Sequence, residues 1–320
     1  MNKLEDFYKR RRILITGADG FIGSHLTERL VEYGAIVSIL VHNKELKNLN
    51  KIKNNLRNII VDDIADKGVI RLIVNEKPQI IFHLAVDGYV RNSIENPLMV
   101  NRINLEGTLN VLEASRALMN NGFERLIFSS SCLVYGTKLD PIKESDELKP
   151  NNPYAASKAA AELYCYSYFR TYNLPVAIIR PFNTYGPRQT KDVVPLFIEK
   201  AFRNYDITLE GGGLQTRDFN YIDDTIYAFL IMGSNEKAIG EAVNFGSGKD
   251  ITIKDLAEKI RLYSSSMSKL INAPERPGQD IRLCCDNSKA KKLFNWESKV
   301  SIEEGLKKTI EWYKENVENA

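Results

Sequence analysis

The feature that most constrains the fold is a glycine-rich turn between a strand and a helix near the start of the chain. The β-branched run 12–16 leads into Gly17, Gly20 and Gly23, and the amphipathic segment 26–31 follows. Glycine lets the backbone of such a turn approach a pyrophosphate and lets the helix pack on the strand. The helix N-terminus adds N–H groups and the positive end of the helix dipole. In this strand–turn–helix context, the spacing predicts a dinucleotide-binding site.

Further strands follow along the first half of the chain and predict a parallel sheet. They are the apolar runs 35–41, 58–61, 79–85 and 125–128, and a long helix is expected over 101–119. Strand, crossover and strand in alternation predict an α/β fold with a Rossmann-type doubly wound parallel sheet. Beyond about residue 181, prolines, glycines and isolated helices replace this alternation. We therefore predict a Rossmann domain over 1–180 and a smaller C-terminal α/β substrate-binding portion over 181–320, entwined with the first.

Composition excludes several classes of function. A net charge of +3 over 320 residues is too small to argue for nucleic-acid binding. No apolar run approaches the roughly 20 residues of a membrane span. Residues 1–9 are polar, unlike a signal peptide, so we expect a cytoplasmic protein without a membrane partner. The four cysteines lack metal-ligand spacing and a disulfide pattern, so we expect reduced thiols and no metal site.

Tyr154 and Lys158 stand four residues apart and open the segment 159–169, which is expected to be a helix. Side chains at i and i+4 project from the same helical face, so the ammonium can lie beside the phenol. A fixed positive charge favours the phenolate, which moves the tyrosine toward a general base that works near neutral pH. For this motif taken alone, an ordinary helix that carries Y-x-x-x-K is the alternative.

The ends of the second and third strands bear on the cofactor. A dinucleotide fold often has an acidic residue after the second strand, where it binds the ribose 2′-hydroxyl. Here the strand ends at His42 and Lys44 without an acid. Either other groups hold the 2′-hydroxyl, or these two residues face a 2′-phosphate and the cofactor is NADP. Asp63, after the third strand, could reach an adenine amino group, and a solvated strand end is the alternative. His83, inside the fourth strand, is expected to be a core histidine.

Several motifs occur in a fixed order along the chain. They are Thr16-Gly17-x-x-Gly20-x-x-Gly23, Asp63-Ile64, Ser129-Ser130-Ser131 before Val134-Tyr135-Gly136, Tyr154-x-x-x-Lys158, Arg180-Pro181-Phe182-Asn183-x-Tyr185-Gly186-Pro187, Arg217-Asp218-Phe219 and Arg276-Pro277-Gly278. This series resembles the extended short-chain dehydrogenases, the nucleotide-sugar epimerases and dehydratases, over residues 11–315. The resemblance implies a Rossmann domain that holds NAD, with NADP as the alternative, and a C-terminal portion that holds a nucleoside diphosphate sugar. It also implies hydride transfer from a sugar carbon, usually C4, to the nicotinamide.

The resemblance further implies roles for individual residues. Tyr154 would take the proton of the sugar hydroxyl, Lys158 would hold the nicotinamide ribose, and Ser131 would hydrogen-bond the same sugar oxygen. The expected cofactor-binding positions are Gly17, Gly20, Phe21, Ile22, Gly23, His42, Asp63, Ile64, Leu84, Ala85, Asn104, Tyr154 and Lys158. The expected substrate-binding positions are Ser131, Asn183, Arg217 and Arg276.

The choice of reaction within the family depends on Cys132 and Leu133. Members that remove water from C5 and C6 resemble one another in an Asp-Glu pair at these positions, because β-elimination needs an acid and a base. Leu133 cannot transfer a proton, and Cys132 is a poor substitute for a carboxylic acid. This argues against a 4,6-dehydratase, although the segment 180–188 looks more like that branch. We therefore predict a nucleotide-sugar 4-epimerase acting at C4 of an NDP-hexose.

Other functions stay open. An NAD(P)-dependent C4 dehydrogenase or 4-keto-sugar reductase comes next, since the missing acid at His42 favours NADP, and a 4,6-dehydratase follows. A non-catalytic dinucleotide sensor agrees least with intact Ser131, Tyr154 and Lys158. The resemblance also implies a homodimer formed through two helices of each subunit, for which 101–119 and 154–172 are the candidates. Plain core packing of the tyrosines on the second helix is the alternative.

Overall fold

The chain forms two compact units. The structure, a computed structural model, describes residues 3–275 and 278–317. Within these residues the first unit takes the chain up to Val134, then Asn152–Arg180 and Ile226–Val243. The second takes Tyr135–Asn151, Pro181–Thr225 and the chain from Asn244 onward. Two segments therefore cross the expected boundary at residue 180, and the assignment of substrate binding to the second unit remains a prediction.

The secondary structure alternates strands and helices through the first unit and becomes irregular in the second. The strands are β1 (Arg12–Thr16), β2 (Ile36–Val41), β3 (Asn58–Val61), β4 (Ile80–His83), β5 (Arg125–Ser129), β6 (Val176–Pro181), β7 (Thr184–Tyr185), β8 (Ile207–Glu210), β9 (Thr216–Asp218), β10 (Asn220–Tyr221), β11 (Ala242–Phe245), β12 (Asp250–Thr252), β13 (Leu270–Ala273) and β14 (Arg282–Leu283). The α-helices are α1 (Lys3–Tyr8), α2 (Phe21–Glu32), α3 (Gly68–Glu76), α4 (Val90–Glu95), α5 (Pro97–Asn101), α6 (Gly107–Leu118), α7 (Pro153–Tyr172), α8 (Val193–Phe202), α9 (Ile222–Ser234), α10 (Ile253–Tyr263), α11 (Ser288–Phe294) and α12 (Ile302–Val317). The strands expected from the sequence up to residue 180 are all present.

The main sheet has seven strands in the order β11-β6-β5-β4-β1-β2-β3 within the described residues. From β3 to β6 every pairing is parallel. Strands β1 to β3 succeed one another toward one edge and β4 to β6 toward the other, so the order reverses between β1 and β4. This is the doubly wound arrangement, and the predicted Rossmann-type fold is confirmed. Ligands of such sheets bind beyond the carboxyl ends of the strands at this point of reversal.

The core of the first unit lies between the sheet and its helices. Strand β4 is buried at every position and β1 at all but its first, as expected for a parallel sheet covered on both faces. Strand residues such as Leu14, Ile81 and Leu126 pack with Ile73 of α3 and Leu112 of α6. Burying each such side chain contributes roughly 1.5–3 kcal/mol. The sheet is therefore a rigid support for the loops at its carboxyl edge.

The segment expected to be one regular helix over 101–119 is different in detail. It comprises α5, a π-helical turn at Arg102–Glu106 and then α6. The wider turn holds Asn104, which is only 1% exposed and hydrogen-bonded to neighbouring polar groups. Turns of this kind often occur at functional sites. The sequence pattern did not predict the turn, because its apolar spacing fits a regular helix.

The second unit is built from short sheets, β12-β9-β14, β13-β8 and β10-β7, with helices around them. Its aromatic core includes Trp296, which meets Phe245 edge to face and donates its indole N–H to the main-chain oxygen of Asp224. In the described parts of the chain all four cysteines are buried, and none forms a disulfide. Among the same residues, no helix combines the length and apolarity that crossing a bilayer requires.

Candidate active site

The glycine turn after β1 is closely packed against the loop after β4. Gly17 has φ +69°, and a Cβ there would lie 2.7 Å from the nitrogen of Ala85. A Cβ on Gly23 would lie 2.2 Å from the oxygen of Gly17. Helix α2 begins at Phe21, after the N-cap Gly20, so its first N–H groups have no carbonyl one turn back. The turn thus has the shape expected of a pyrophosphate site, at the point where the strand order reverses.

The loop after β4 is held by a buried hydrogen-bond chain. The N–H of Leu84 bonds the oxygen of Thr16, and the N–H of Ala85 bonds its hydroxyl, both at 3.1 Å. That hydroxyl also contacts Nδ1 of His83 at 2.7 Å, and Nε2 lies 3.0 Å from the Thr108 hydroxyl. Burial lowers the pKa of His83 to about 3, so the ring is neutral at physiological pH. The expectation of a satisfied core histidine is confirmed.

His42 and Asp63 follow β2 and β3 at the same edge of the sheet. His42 is exposed. The carboxylate of Asp63 accepts hydrogen bonds from the Ala65 N–H at 2.9 Å and from Arg102 at 2.7 Å. Burial raises the pKa of Asp63, but these bonds outweigh it and the net pKa is lowered. Asp63 is therefore ionised, while the side chain of Ile64 beside it is buried in the core. Adenine binding at these positions stays a prediction.

Asn104 connects the loop after β4 with helix α7. Its side chain accepts the N–H of Asp87 at 2.9 Å and donates to the Ser157 hydroxyl at 3.0 Å. That hydroxyl in turn donates to the main-chain oxygen of Tyr154 at 2.7 Å. Asn104 therefore holds protein groups in place, and its contact with a cofactor remains a prediction.

Helix α7 carries Tyr154 in its first turn. Asn152 is its N-cap and accepts the N–H of Ala155 at 3.0 Å, and Pro153 occupies the first helical position. Both features fix where the helix begins, so Tyr154 and Lys158 fall one turn apart. The two side chains are 9% and 3% exposed.

The Lys158 ammonium is a buried cation without an ion-pair partner among the described residues. It lies 4.3 Å from the centre of the Phe128 ring. Burial lowers the pKa of Lys158 to about 8, against the opposing influence of Cys165 and Glu162. An ammonium in such a site needs hydrogen-bond acceptors. Ribose hydroxyls of a dinucleotide and the phenol oxygen of Tyr154 are acceptors of the right kind.

Ser131 follows β5 and leads into the 3-10 turn Cys132–Tyr135. Its hydroxyl accepts the N–H of Leu133 at 3.2 Å, and its side chain is 8% exposed. The Ser130 hydroxyl is buried and has no hydrogen-bond partner within the described chain. Cys132 is buried and Leu133 is half-buried. Neither of these last two positions carries a carboxyl group.

Two of the other expected substrate-binding residues, Asn183 and Arg217, belong to the second unit. The side-chain oxygen of Asn183 is buried and lacks a hydrogen-bond donor in the part of the chain that the structure describes. Arg217 lies on β9, is 9% exposed and donates to the Thr216 oxygen at 2.7 Å. Arg276 lies outside the described residues. The unsatisfied Asn183 oxygen has the property expected of a group that meets a ligand donor.

Comparison with known proteins identifies the family. The family model described as GDP-mannose 4,6 dehydratase matches residues 14–309. The chain belongs to the extended short-chain dehydrogenases, the NAD-dependent nucleotide-sugar epimerases and dehydratases. It is an enzyme. The dTDP-D-glucose 4,6-dehydratase of Homo sapiens is 37% identical, over 97% of this chain and 91% of the relative.

Two solved structures of extended short-chain dehydrogenases are closely similar. One is the UDP-glucose 4-epimerase of Thermotoga maritima with UDP-glucose, 31% identical with a TM-score of 0.89 over 96% of this chain and 99% of that one. The other is the dTDP-glucose 4,6-dehydratase of Streptomyces venezuelae with NAD bound, 30% identical with a TM-score of 0.89 over 95% and 97%. The relatives thus include both epimerases and dehydratases, so similarity alone does not select the reaction.

One pair of buried residues in this short-chain dehydrogenase was missed by sequence reasoning. Glu162, on α7, forms an ion pair with Arg180, on β6, and the two side chains are 4% and 7% exposed. Glu162 also attracts the Lys158 ammonium and opposes the effect of burial on its pKa. The i, i+4 spacing from Lys158 to Glu162 was visible in the sequence. The partner Arg180 was not, because only the packing of α7 on β6 brings it there.

Proposed function

We propose that this enzyme is a nucleotide-sugar 4-epimerase that uses NAD and acts at C4 of an NDP-hexose. The observation that carries the proposal is local to the first unit. Tyr154 and the buried ammonium of Lys158, which forms no ion pair within the described residues, stand one turn apart on α7, whereas Cys132 and Leu133 provide no carboxyl group. The site thus has the groups for redox at one carbon, and positions 132 and 133 lack the acid and base for elimination of water.

The proposed roles follow from the chemistry of the side chains. Tyr154 removes the proton of the C4 hydroxyl and later returns it. The charge of Lys158 favours the phenolate of Tyr154, since the lysine is mostly protonated below its pKa of about 8. Ser131 donates a hydrogen bond to the same sugar oxygen as negative charge develops there. A bound NAD would supply the hydride acceptor for C4 and, once reduced, the hydride donor for the opposite face of the sugar.

The cofactor residues are proposed to be those at the carboxyl edge of the sheet. The turn of Gly17, Gly20 and Gly23 with the first turn of α2 would hold the pyrophosphate, because it combines close backbone approach with N–H groups. The Lys158 ammonium would bind the nicotinamide ribose. Asp63, already ionised by its partners, keeps lone pairs on both oxygens for the adenine amino group.

The substrate is proposed to be a nucleoside diphosphate hexose. Arg217 and Arg276 would bind the diphosphate, since a guanidinium matches phosphate oxygens with two parallel hydrogen bonds. The buried oxygen of Asn183 would accept a hydrogen bond from the ligand. Which base and which hexose are bound depends on pocket shape across the second unit.

A 4-keto-sugar reductase or C4 dehydrogenase is the second candidate. The observation that favours it is the exposed His42 at the end of β2, where a dinucleotide fold often has an acidic residue, with Lys44 two residues further on, an arrangement that suits a 2′-phosphate. A reductase must exchange its cofactor in every turnover. An epimerase must retain it, because loss of the reduced form would leave the ketone behind.

The test is to denature the purified enzyme, identify any nucleotide released, and then supply UDP-, dTDP- and GDP-hexoses without added cofactor. We expect about one NAD per chain and interconversion of C4 epimers, followed by NMR. An empty enzyme that consumes NADPH with a 4-keto sugar would replace the epimerase with the reductase. A 6-deoxy-4-keto product would identify a dehydratase and overturn the argument from Cys132 and Leu133.

A homodimer is also proposed. Helices α5 and α7 expose large apolar side chains, with Leu98 at 85%, Leu163 at 64% and Tyr166 at 55%. Large exposed apolar side chains on neighbouring helices are a feature of interfaces. Light scattering should give a dimer mass, and Leu163→Glu should convert it to the monomer. A wild-type monomer at micromolar concentration would contradict this proposal.

A further inference from the structure

One loop of the second unit joins the two segments that carry the proposed catalytic residues. Residues 136–151 lie between the strand end with Ser131 and the start of α7 with Tyr154. The positions of the two ends of this loop therefore constrain the segment that carries Ser131 and the segment that carries Tyr154. The residues that fix these ends are candidates for positioning the site.

The base of the loop is tightly closed. Gly136 has φ +66°, and a Cβ there would lie 2.2 Å from the oxygen of Lys149. The same Cβ would lie 3.3 Å from the side-chain amide of Asn151. Only glycine fits this conformation and this contact, so the two ends of the loop lie directly against each other.

Asp280 bonds both ends. Its Oδ1 accepts a hydrogen bond from the Thr137 hydroxyl at 3.2 Å and from the Asn151 side-chain N–H at 2.6 Å. The N–H of Ile281 donates to the Thr137 hydroxyl at 3.0 Å, which adds a main-chain contact. Asp280 is 2% exposed. A buried carboxylate of this kind is retained only where its partners stabilise it.

The segment that bears Asp280 runs beside the strand that bears Arg217. Strand β14, which follows Asp280, pairs in parallel with β9, and the N–H of Thr216 bonds the oxygen of Ile281 at 2.9 Å. Burial raises the pKa of Asp280, and the positive charge of Arg217 is the first influence that opposes it. Asp280 thus directly precedes the segment that runs beside the strand bearing the guanidinium proposed to bind the diphosphate.

We propose that Asp280 is a positioning residue of this enzyme. Its Oδ1 holds together the two ends of the loop between Ser131 and Tyr154. The loop is held in this way beside the strand of Arg217, the residue proposed to bind the diphosphate. This inference rests on the proposed function. Asp280 does not touch the reacting atoms. Its effect is on turnover, because a small displacement of Tyr154 or Ser131 from the sugar oxygen slows a proton transfer that depends on their geometry.

The test compares Asp280→Ala, which removes the acceptor, with Asp280→Asn, which keeps an oxygen at Oδ1 and removes the charge. Asp286→Ala, in the same segment, is the control, and it should behave like the wild type. Turnover is measured on the NDP-hexose that the wild type accepts. Affinity for UDP, dTDP and GDP is measured separately by calorimetry. We expect kcat of Asp280→Ala to fall by about tenfold or more, and its nucleoside diphosphate Kd to change by less than about threefold.

We expect Asp280→Asn to recover kcat to within about threefold of the wild type, because both donors keep their acceptor. Wild-type kcat in Asp280→Ala overturns the inference, and so does Asp280→Asn as slow as Asp280→Ala. If Asp280→Ala does not fold, Asn151→Ala removes the shorter bond alone and should still lower kcat; wild-type kcat there also overturns it. A wild type that binds no nucleoside diphosphate overturns the proposed function itself, which separates the two failures.

Discussion

The Glu162 carboxylate and the Arg180 guanidinium form a buried, two-pronged ion pair. Nε of Arg180 lies 2.9 and 3.1 Å from the two carboxylate oxygens, and Nη2 lies 2.5 Å from Oε2. Two fixed hydrogen bonds between a planar fork and a carboxylate define an orientation as well as a distance. The pair therefore fixes α7 against β6. The contact point, Glu162, lies one helical turn after Lys158.

Removal of one partner of this pair should be strongly destabilising. Glu162→Ala leaves a buried guanidinium without its counter-ion, and the expected loss of unfolding free energy is about 3–5 kcal/mol. The double variant Glu162→Leu with Arg180→Met buries no charge and should recover most of that loss. Urea unfolding of the single and double variants measures both. If the single variant lost less than about 1 kcal/mol, solvent would have to reach the pair.

The buried lysine predicts a pH dependence. The folded pKa of Lys158 is about 8, below the usual value near 10.5, because burial disfavours the charged form. Over about pH 8 to 10.5 the unfolded chain binds more protons at this position than the folded chain does, so the contribution of Lys158 to folding stability rises with pH. The ammonium that Tyr154 needs is lost over the same range. We therefore expect kcat/KM to fall as pH rises above about 8, without loss of fold.

The measurement is a pH series of kcat/KM, which reports the pKa values of the substrate-free enzyme. Circular dichroism at each pH shows that the fold is intact. The lysine is faced by neutral His83, by Glu162 and by Cys165, and burial raises the pKa of the Cys165 thiol. A rate that stays constant to about pH 10 would contradict the assignment of the ammonium to catalysis.

Much of the first unit could be predicted from the sequence because its rules are local. The strand–glycine–helix run around Gly17 and the Y-x-x-x-K spacing of Tyr154 and Lys158 each depend on neighbours within a few turns. The π-helical turn around Asn104 could not be predicted, since its apolar pattern is that of a regular helix. The Arg180 partner of Glu162 and the Asp280 contacts depend on residues far apart in the chain, which no periodicity relates.

The glycine turn offers a matched pair of substitutions. Gly17 and Gly122 have φ of +69° and +78°, but a Cβ on Gly17 would meet Ala85 at 2.7 Å, whereas Gly122 has nothing within 4 Å. Alanine at either position destabilises the fold by about 1–2 kcal/mol, because the left-handed conformation is unfavourable for a residue with a Cβ. Only Gly17→Ala must also displace the loop after β4. We expect Gly122→Ala to keep wild-type NAD affinity and Gly17→Ala to lose at least about tenfold.

Calorimetric titration of NAD into both variants, after removal of any retained nucleotide, checks this prediction. Thermal unfolding of the same samples separates lost affinity from lost fold. Equal NAD affinity in the two variants would mean that the turn does not hold the dinucleotide.

Tyr154→Phe distinguishes a catalyst from a protein that only binds a dinucleotide. The substitution removes the one atom that exchanges the proton and leaves the ring, the helix and Lys158 in place. We expect turnover to fall by about 10²–10⁴-fold, because a positioned acid–base group contributes that much. NAD affinity should stay within about threefold, since the ammonium and the glycine turn hold the cofactor.

Tyr164→Phe is the control, because its side chain lies on the same helix at 45% exposure. Both variants lose a phenol from α7, so a difference between them is due to position. Wild-type turnover in Tyr154→Phe would show that another group moves the proton. It would also contradict the roles proposed for Ser131 and Lys158, because both depend on proton transfer by Tyr154.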